Sequence, residues 1–428
     1  MPDHVMASLI KMPAPEKTFT PIEANRNFAP EFQLALACAR WPLRDRDREE
    51  IQRLTDGGLD WRKFLRIIDR NQILPLAHRN LRDALAPGRD TEFLDSLRSK
   101  VMGFASHSLS HAAESIRITE SARKAGFEIV TVKGISLSVL AYGNVAMRSP
   151  GDIDLLVSPA HVFEAERLLL ELGYVRYEPR AELTPRRLKH YLKYYKHFAY
   201  IREAKAIPLE LHWRLYHCTA LEDPDAKPFE TMPVPIGSGV VSTLTRNELF
   251  LYLCAHGAIH GWPILKWLAD IGALLGAMTS DDLGRVAALA SERGLIAELQ
   301  AALILVDFFL AVERPAIQLP PEANRLVVRI VNMAKRLLTA EDYCLEIHRL
   351  PRFGMFLYDL RMRSSWRYRS EDIRRAFVFP DDWDLIDLPD ALFPLYAAVR
   401  PVSWMYRHLP RLSRRPSTAD RSSPPLSS

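Results

Sequence analysis

Four cysteines in 428 residues, at 38, 218, 254 and 344, leave no C-x-x-C pair and no close spacing. A disulfide framework is therefore not expected, and a reducing, cytoplasmic setting is. The N-terminal stretch MPDHVMASLIKMPAPEKTF lacks an apolar core of signal-peptide length. Long hydrophobic runs are missing as well. The longest, Ala301 to Val312, is broken by Asp307 and falls short of the ~20 residues that span a bilayer. Nor is there an excess of one charge: 57 basic against 52 acidic residues leave a formal +5. A dedicated nucleic-acid binder concentrates basic residues on one face, so this balance gives no reason to expect such a partner. No internal repeat is visible.

What is present is an alternating acidic strand. In GDIDLLV, residues 151–157, Asp152 and Asp154 fall on one face of a period-two element while Ile153 and Leu155 point to the other. Paired carboxylates on a stiff strand suit Mg²⁺, which takes hard oxygen ligands and few of them from protein. Solvated strand ends also carry D-x-D, so the neighbours matter. Upstream, Ile129 to Val132 is β-branched and reads as a strand. Lys133-Gly134 breaks it, and Ser136 to Tyr142 has helical spacing. Such a strand–turn–helix junction aims backbone N–H groups at a phosphate. Gly134, without a Cβ, allows close approach, and Ser136 caps the helix or bonds the phosphate. As an isolated signal, a KG turn is also simply a turn.

Downstream, Ile207-Pro208-Leu209-Glu210-Leu211-His212-Trp213 alternates again. Glu210 and His212 share a face, and Pro208 marks an edge or a strand start. Three acids can hold two metal ions about 3.5–4 Å apart, one on an attacking oxygen and one on a leaving phosphate. Glu210 is also suited to take a proton from an acceptor, or else to pair with Arg214. His212 is either a proton acceptor or a support for Glu210. Lys133 is a phosphate contact or a solvated turn lysine. Arg148, four residues before Asp152, clamps a phosphate or pairs with the aspartates.

The order Lys133-Gly134, Asp152-Ile153-Asp154, Leu209-Glu210-Leu211 resembles the DNA polymerase beta-type nucleotidyltransferase superfamily. More closely, the chain is similar to a bacterial group of uncharacterised nucleotidyltransferases. The residues that carry this are Lys133-Gly134, Arg148, Asp152 to Val157, Gly173-Tyr174, Glu210-Leu211-His212-Trp213 and the segment His256 to Asp270, and the likeness runs over roughly residues 30–410. Two departures from the wider superfamily stand out. Ile135 follows the glycine, so the hydroxyl comes one place later, at Ser136, and the stretch from Gly134 to Asp152 is longer than in compact members. The resemblance implies magnesium-dependent transfer of a nucleotide from a nucleoside triphosphate, and it leaves the acceptor open.

Other candidates carry weaker signals. His256 and His260 have the H-x-x-x-H spacing of a helical zinc site, but Gly257 stands where a zinc protease needs glutamate. The segment reads instead as a wall of the nucleotide pocket. Lys266 and Asp270 are spaced to pair on a helix; Lys266 could otherwise reach the triphosphate. Trp262 and Trp267 are core residues or base-stacking platforms. Arg361, Arg363, Arg367, Arg369, Arg374 and Arg375, interleaved with Trp366 and Tyr368, form a solvated helical face or touch a nucleic acid acceptor.

The expected organisation is α+β: a small mixed-sheet nucleotidyltransferase core at 127–240, flanked by helical regions at 28–126 and 241–410. Disordered ends are expected at 1–27 and 411–428, the latter rich in Ser, Pro and Arg. Within it, helices are expected at 61–68 and 94–125, a helix from Pro159 to Gly173, and a hairpin of Tyr194–Ile201 with Ile207–Trp213 around Glu203-Ala204-Lys205. The expected activity is Mg²⁺-dependent transfer of a nucleoside monophosphate to a small molecule, peptide or protein, with pyrophosphate released. Asp152, Asp154 and Glu210 would be the metal ligands, joined by His212 in catalysis. Lys133, Gly134, Ser136, Arg148 and Lys266 would hold the nucleotide. Two alternatives remain open: AMP transfer onto a partner protein, and a catalytically idle nucleotide-binding scaffold.

Overall fold

The computed structural model describes residues 27–149, 151–202, 206–216, 229–315, 317, 324–340, 352–362 and 366–408. The expected irregular ends, apart from Asn27, the expected hairpin turn at 203–205, Cys218, Cys344 and Arg363 lie outside the described residues. Four helices open the described chain: α1 (Pro30–Cys38), α2 (Asp45–Asp56), α3 (Trp61–Arg70) and α4 (Leu74–Ala84). The long α5 (Thr91–Lys124) follows. Then come β1 (Ile129–Thr131), α6 (Gly134–Tyr142), β2 (Ile153–Val157), α7 (Val162–Glu171), β3 (Val175–Glu178) and α8 (Pro185–Tyr194). Next are the hairpin β4 (His197–Arg202) and β5 (Ile207–His212), and a second hairpin, β6 (Thr231–Ile236) and β7 (Gly239–Leu244). Helices α9 (Arg246–Ile259), α10 (Leu265–Leu275), α11 (Ser280–Glu292), α12 (Ile296–Leu310), α13 (Asn324–Thr339), α14 (Arg352–Met362), α15 (Trp366–Phe377), α16 (Asp381–Leu385) and α17 (Tyr396–His408) complete it.

The seven strands form one mixed sheet in the order β3-β4-β5-β2-β1-β7-β6. Its centre places β2 parallel to β5, so that Asp154 faces Glu210 and Leu155 faces Leu211. Strand β4 runs antiparallel to β5, and β1 runs antiparallel to β2. Pro208 is the second residue of β5, opposite Ile201 of β4 and ahead of the pairing with β2, which begins at Leu209.

Two elements differ from the sequence reading. Tyr194 ends α8 rather than opening a strand, and β4 starts only at His197. The aromatic run YLKYYKHFAY suits both states by propensity and is divided between them: Tyr191 in the last turn of α8 and Phe198 and Tyr200 of β4 enter the same core. The β6–β7 hairpin was not anticipated; Pro233 and Pro235 both lie within β6. Strand β6 is the sheet edge, where proline is tolerated.

Two large apolar cores lie against the sheet, and a third, smaller one joins Ala112 of α5 and Ile135 of α6 to the β6–β7 hairpin. Ile153, Leu155, Leu209 and Leu211 enter one of the large cores, with Val162, Ala165 and Leu169 of α7 and Tyr191 of α8. Val130, Leu156 and Leu244 enter the other, which contains residues of both α1–α5 and α9–α13. Alternation along β2 and β5 therefore buries Leu155, Leu209 and Leu211 on the first face and turns Asp154, Glu210 and His212 toward the second.

Candidate active site

The acids converge at the middle of the sheet. One carboxylate oxygen each from Asp152, Asp154 and Glu210 lies within 4.8 Å of the other two. Asp152 precedes β2, Asp154 is its second residue, and Glu210 is its neighbour across the parallel pair. Asp154 is buried. Its Oδ1 accepts no hydrogen bond, although Lys133 Nζ and His212 Nε2 approach at 3.1 and 3.3 Å.

The electrostatics divide the pair. Burial pushes the Asp154 carboxyl up, but Lys133 and His212 outweigh it and hold the group below its ordinary range. Asp152 then faces a charged Asp154 and, with burial adding, rises to about 6. Burial also raises Glu210, yet the imidazoles of His197 and His212 and the amine of Lys196 bring it well below the usual carboxylate value. Lys133 loses by burial and gains more from Asp154, so its ammonium is firmly charged. Its Nζ also lies 6.0 Å from the centre of the Tyr252 ring on α9.

Lys133 and Gly134 occupy the sharp junction between β1 and α6. Gly134 has φ +58°, in the left-handed region, and is the first residue of α6. A pocket lies at this helix end. It is lined by Lys133, Gly134, Arg148, Asp152 and Asp154 together with Ser108, His111 and Ser115 of α5. The hydroxyls of Ser108 and Ser115 are buried there without a hydrogen-bond partner.

Not every expected site residue joins this group. Ser136 is fully buried; its hydroxyl donates to the Lys133 carbonyl at 2.9 Å and so closes the first turn of α6. Arg148 lines the pocket, but its Nε donates to Asp270 Oδ2 at 2.9 Å, and Tyr142 donates to Asp270 Oδ1 at 2.9 Å. Asp270 is thus bonded to Arg148 and Tyr142, and the expected Lys266–Asp270 pair does not form. Lys266 Nζ instead donates to Gln72 Oε1 in the turn between α3 and α4. Burial, with Arg148 nearby, pushes the Lys266 amine down to about 7. Arg214 donates to the carbonyls of Leu192 and Lys193.

Trp262 is fully buried core. A Cβ on Gly257 would stand 2.5 Å from its indole, which accounts for glycine at the position where a zinc protease carries glutamate. Trp267 packs edge-on against His256 at 4.8 Å between ring centres. In the basic run, Arg374 donates to the Tyr194 hydroxyl and Arg375 to Asp372. Tyr368 is buried, whereas Trp366 is 74% exposed.

Sequence reading missed Lys196, His197, Tyr252 and the α5 wall. His197 stands directly opposite His212 in the observed register, whereas a three-residue turn at 203–205 would have set residue 196 there.

A sequence model of a family described as uncharacterised nucleotidyltransferase matches residues 57–311. No curated protein and no solved structure matches the chain.

Proposed function

The chain belongs to the uncharacterised nucleotidyltransferase family, and from that premise we propose that it moves a nucleoside monophosphate from a nucleoside triphosphate to an acceptor in a Mg²⁺-dependent step. The observation that carries this reading is the meeting of Asp152, Asp154 and Glu210 within 4.8 Å beside the N-terminus of α6. The turn, the acid pair and the third acid on a neighbouring parallel strand support placement in the DNA polymerase beta-type superfamily.

The residues fit a hard divalent cation. The oxygens are all carboxylate, and buried Asp154 Oδ1 already faces a cation, the Lys133 ammonium at 3.1 Å. Asp152, Asp154 and Glu210 would hold Mg²⁺, which supplies charge neutralisation on the phosphate oxygens. The protein's own groups do the rest. Gly134 lines the pocket at the N-terminus of α6, where free backbone N–H groups would serve as an anion site, and Lys133 adds a fixed positive charge. An acceptor oxygen bonds to the α-phosphorus, the bond to the β-phosphate oxygen breaks, and pyrophosphate leaves. Glu210, ionised at neutral pH, takes the acceptor proton, with His212 Nε2 at 3.0 Å holding the carboxylate in place. Catalysis of this kind is mainly positioning and electrostatics.

The test is pyrophosphate release with Mg²⁺, each of the common nucleoside triphosphates and a panel of acceptors. Glu210→Gln should keep nucleotide binding and lose roughly 10²–10⁴-fold in turnover, the range for removal of a general base. Unchanged turnover would make Glu210 a structural acid.

A further inference from the structure

We propose that the β4–β5 hairpin carries a second, nitrogen-rich cation site, formed by His197, His212 and Glu210, which takes a borderline divalent ion of the zinc class. His197 and His212 are directly opposed across the antiparallel pair, and Glu210, two residues before His212, is opposed by Ala199. All four side chains therefore share one sheet face. The small Ala199 leaves the space in front of Glu210 open to its neighbours.

The donor atoms face each other. His212 Nε2 is 3.0 Å from Glu210 Oε2, and His197 Nδ1 is 3.6 Å from the same oxygen. One donor from each residue lies within 4.8 Å of the other two. A tetrahedral site with metal–ligand bonds of about 2.0–2.1 Å has ligand–ligand edges of about 3.3 Å, so these separations need only small adjustments. Both ring nitrogens are buried. His197 Nδ1 has no hydrogen-bond partner, and His212 Nε2 faces Asp154 Oδ1 at 3.3 Å as well as Glu210. A buried polar atom normally has a partner, and a shared cation would supply one to His197.

Ligand type separates this site from the acid cluster. Two imidazoles and a carboxylate favour zinc, cobalt or iron over Mg²⁺, whereas Asp152 and Asp154 offer only hard oxygen. Three protein ligands leave a fourth position open, the arrangement of catalytic rather than closed structural sites. Glu210 links the two sets. The inference rests on hairpin geometry and not on nucleotide transfer, so each can fail without the other.

The experiment titrates the full-length protein with Co²⁺ in a large excess of Mg²⁺ and reads the visible ligand-field bands. One equivalent is expected, displaced by Zn²⁺. His197→Ala and His197→Gln should weaken binding by at least about tenfold, with circular dichroism and melting confirming the fold. His260→Ala, which removes a ligand from the alternative His256–His260 pair, should change nothing. X-ray absorption of the Zn²⁺-loaded wild type should count two imidazoles and needs no variant. Absence of Co²⁺ uptake in Mg²⁺, equal uptake by the His197 variants, loss of binding in His260→Ala, or an imidazole count other than two would each overturn the proposal.

Discussion

Asp152 and Asp154 are two residues apart and chemically alike, yet their surroundings make them opposites. Asp154 is buried against Lys133 at 3.1 Å. Asparagine there leaves a buried ammonium short of its partner, and Asp154→Asn should lose about 1–3 kcal/mol in urea unfolding at pH 7.5 with chelator present. Asp152 titrates at about 6 in the fold against an ordinary 3.8, mainly because of Asp154. The native state thus holds this proton more tightly than the unfolded chain does. The stability it contributes is complete below about pH 4 and is lost as pH rises through about 6. Asp152→Asn should therefore gain on the wild type between pH 4 and 6, by on the order of 2 kcal/mol. Equal losses for the two variants at pH 7.5 would contradict this division. In the wild type, Mg²⁺ affinity measured by calorimetry should fall as pH drops through about 6, because the cation competes with that proton.

Among the elements, the β1–α6 junction is where the proposed function sets the phosphates. Gly134 adopts φ +58°, and a Cβ there would meet only the Asp152 carbonyl, at 3.8 Å. Space is therefore ample, and the need for glycine comes from the left-handed backbone and from bare access to the helix end. Substitution can separate these two. Gly134→Asn tolerates the left-handed region but puts a side chain into the pocket. It should keep its melting temperature within a few degrees while losing triphosphate affinity far more than nucleoside affinity. Gly134→Val should lose both stability and binding. If Gly134→Asn bound triphosphate like the wild type, the phosphates would lie somewhere other than this turn.

At the scale of the molecule, the helices before and after the sheet are not separate bodies in their packing. Residues from α1–α5 and α9–α13 share one apolar cluster. Asn71, almost fully buried, ties them through polar bonds: its Oδ1 accepts from Leu265 N at 2.9 Å, at the start of α10, and its Nδ2 donates to Ile67 O at 2.9 Å. Gln72 adds the bond from Lys266. Asn71→Ala strands a buried N–H and should cost about 1–3 kcal/mol. Because the core is continuous, denaturant should unfold the variant in a single transition; two separated transitions would show that the helical regions fold independently. Among the described residues no helix is long and apolar enough to cross a membrane.

The sequence by itself determined the local parts of the site. Period-two alternation put Asp152 and Asp154 opposite Ile153 and Leu155, and Glu210 opposite Leu209, because strand side chains alternate by backbone geometry alone. The glycine break before a helical pattern marked the β1–α6 junction for the same local reason. Partner choice was decided only by the tertiary structure. The parallel pairing of β2 with β5 joins residues more than fifty positions apart, and alternation carries no record of which strand lies alongside. Helical spacing suggested Lys266 with Asp270, but Arg148 and Tyr142 arrive from elsewhere in the chain and take that carboxylate. Ser136 matched a phosphate turn by type, while its depth in the fold turned the hydroxyl to the Lys133 carbonyl. Spacing along a chain governs which face a side chain takes; packing between elements governs what it finds there.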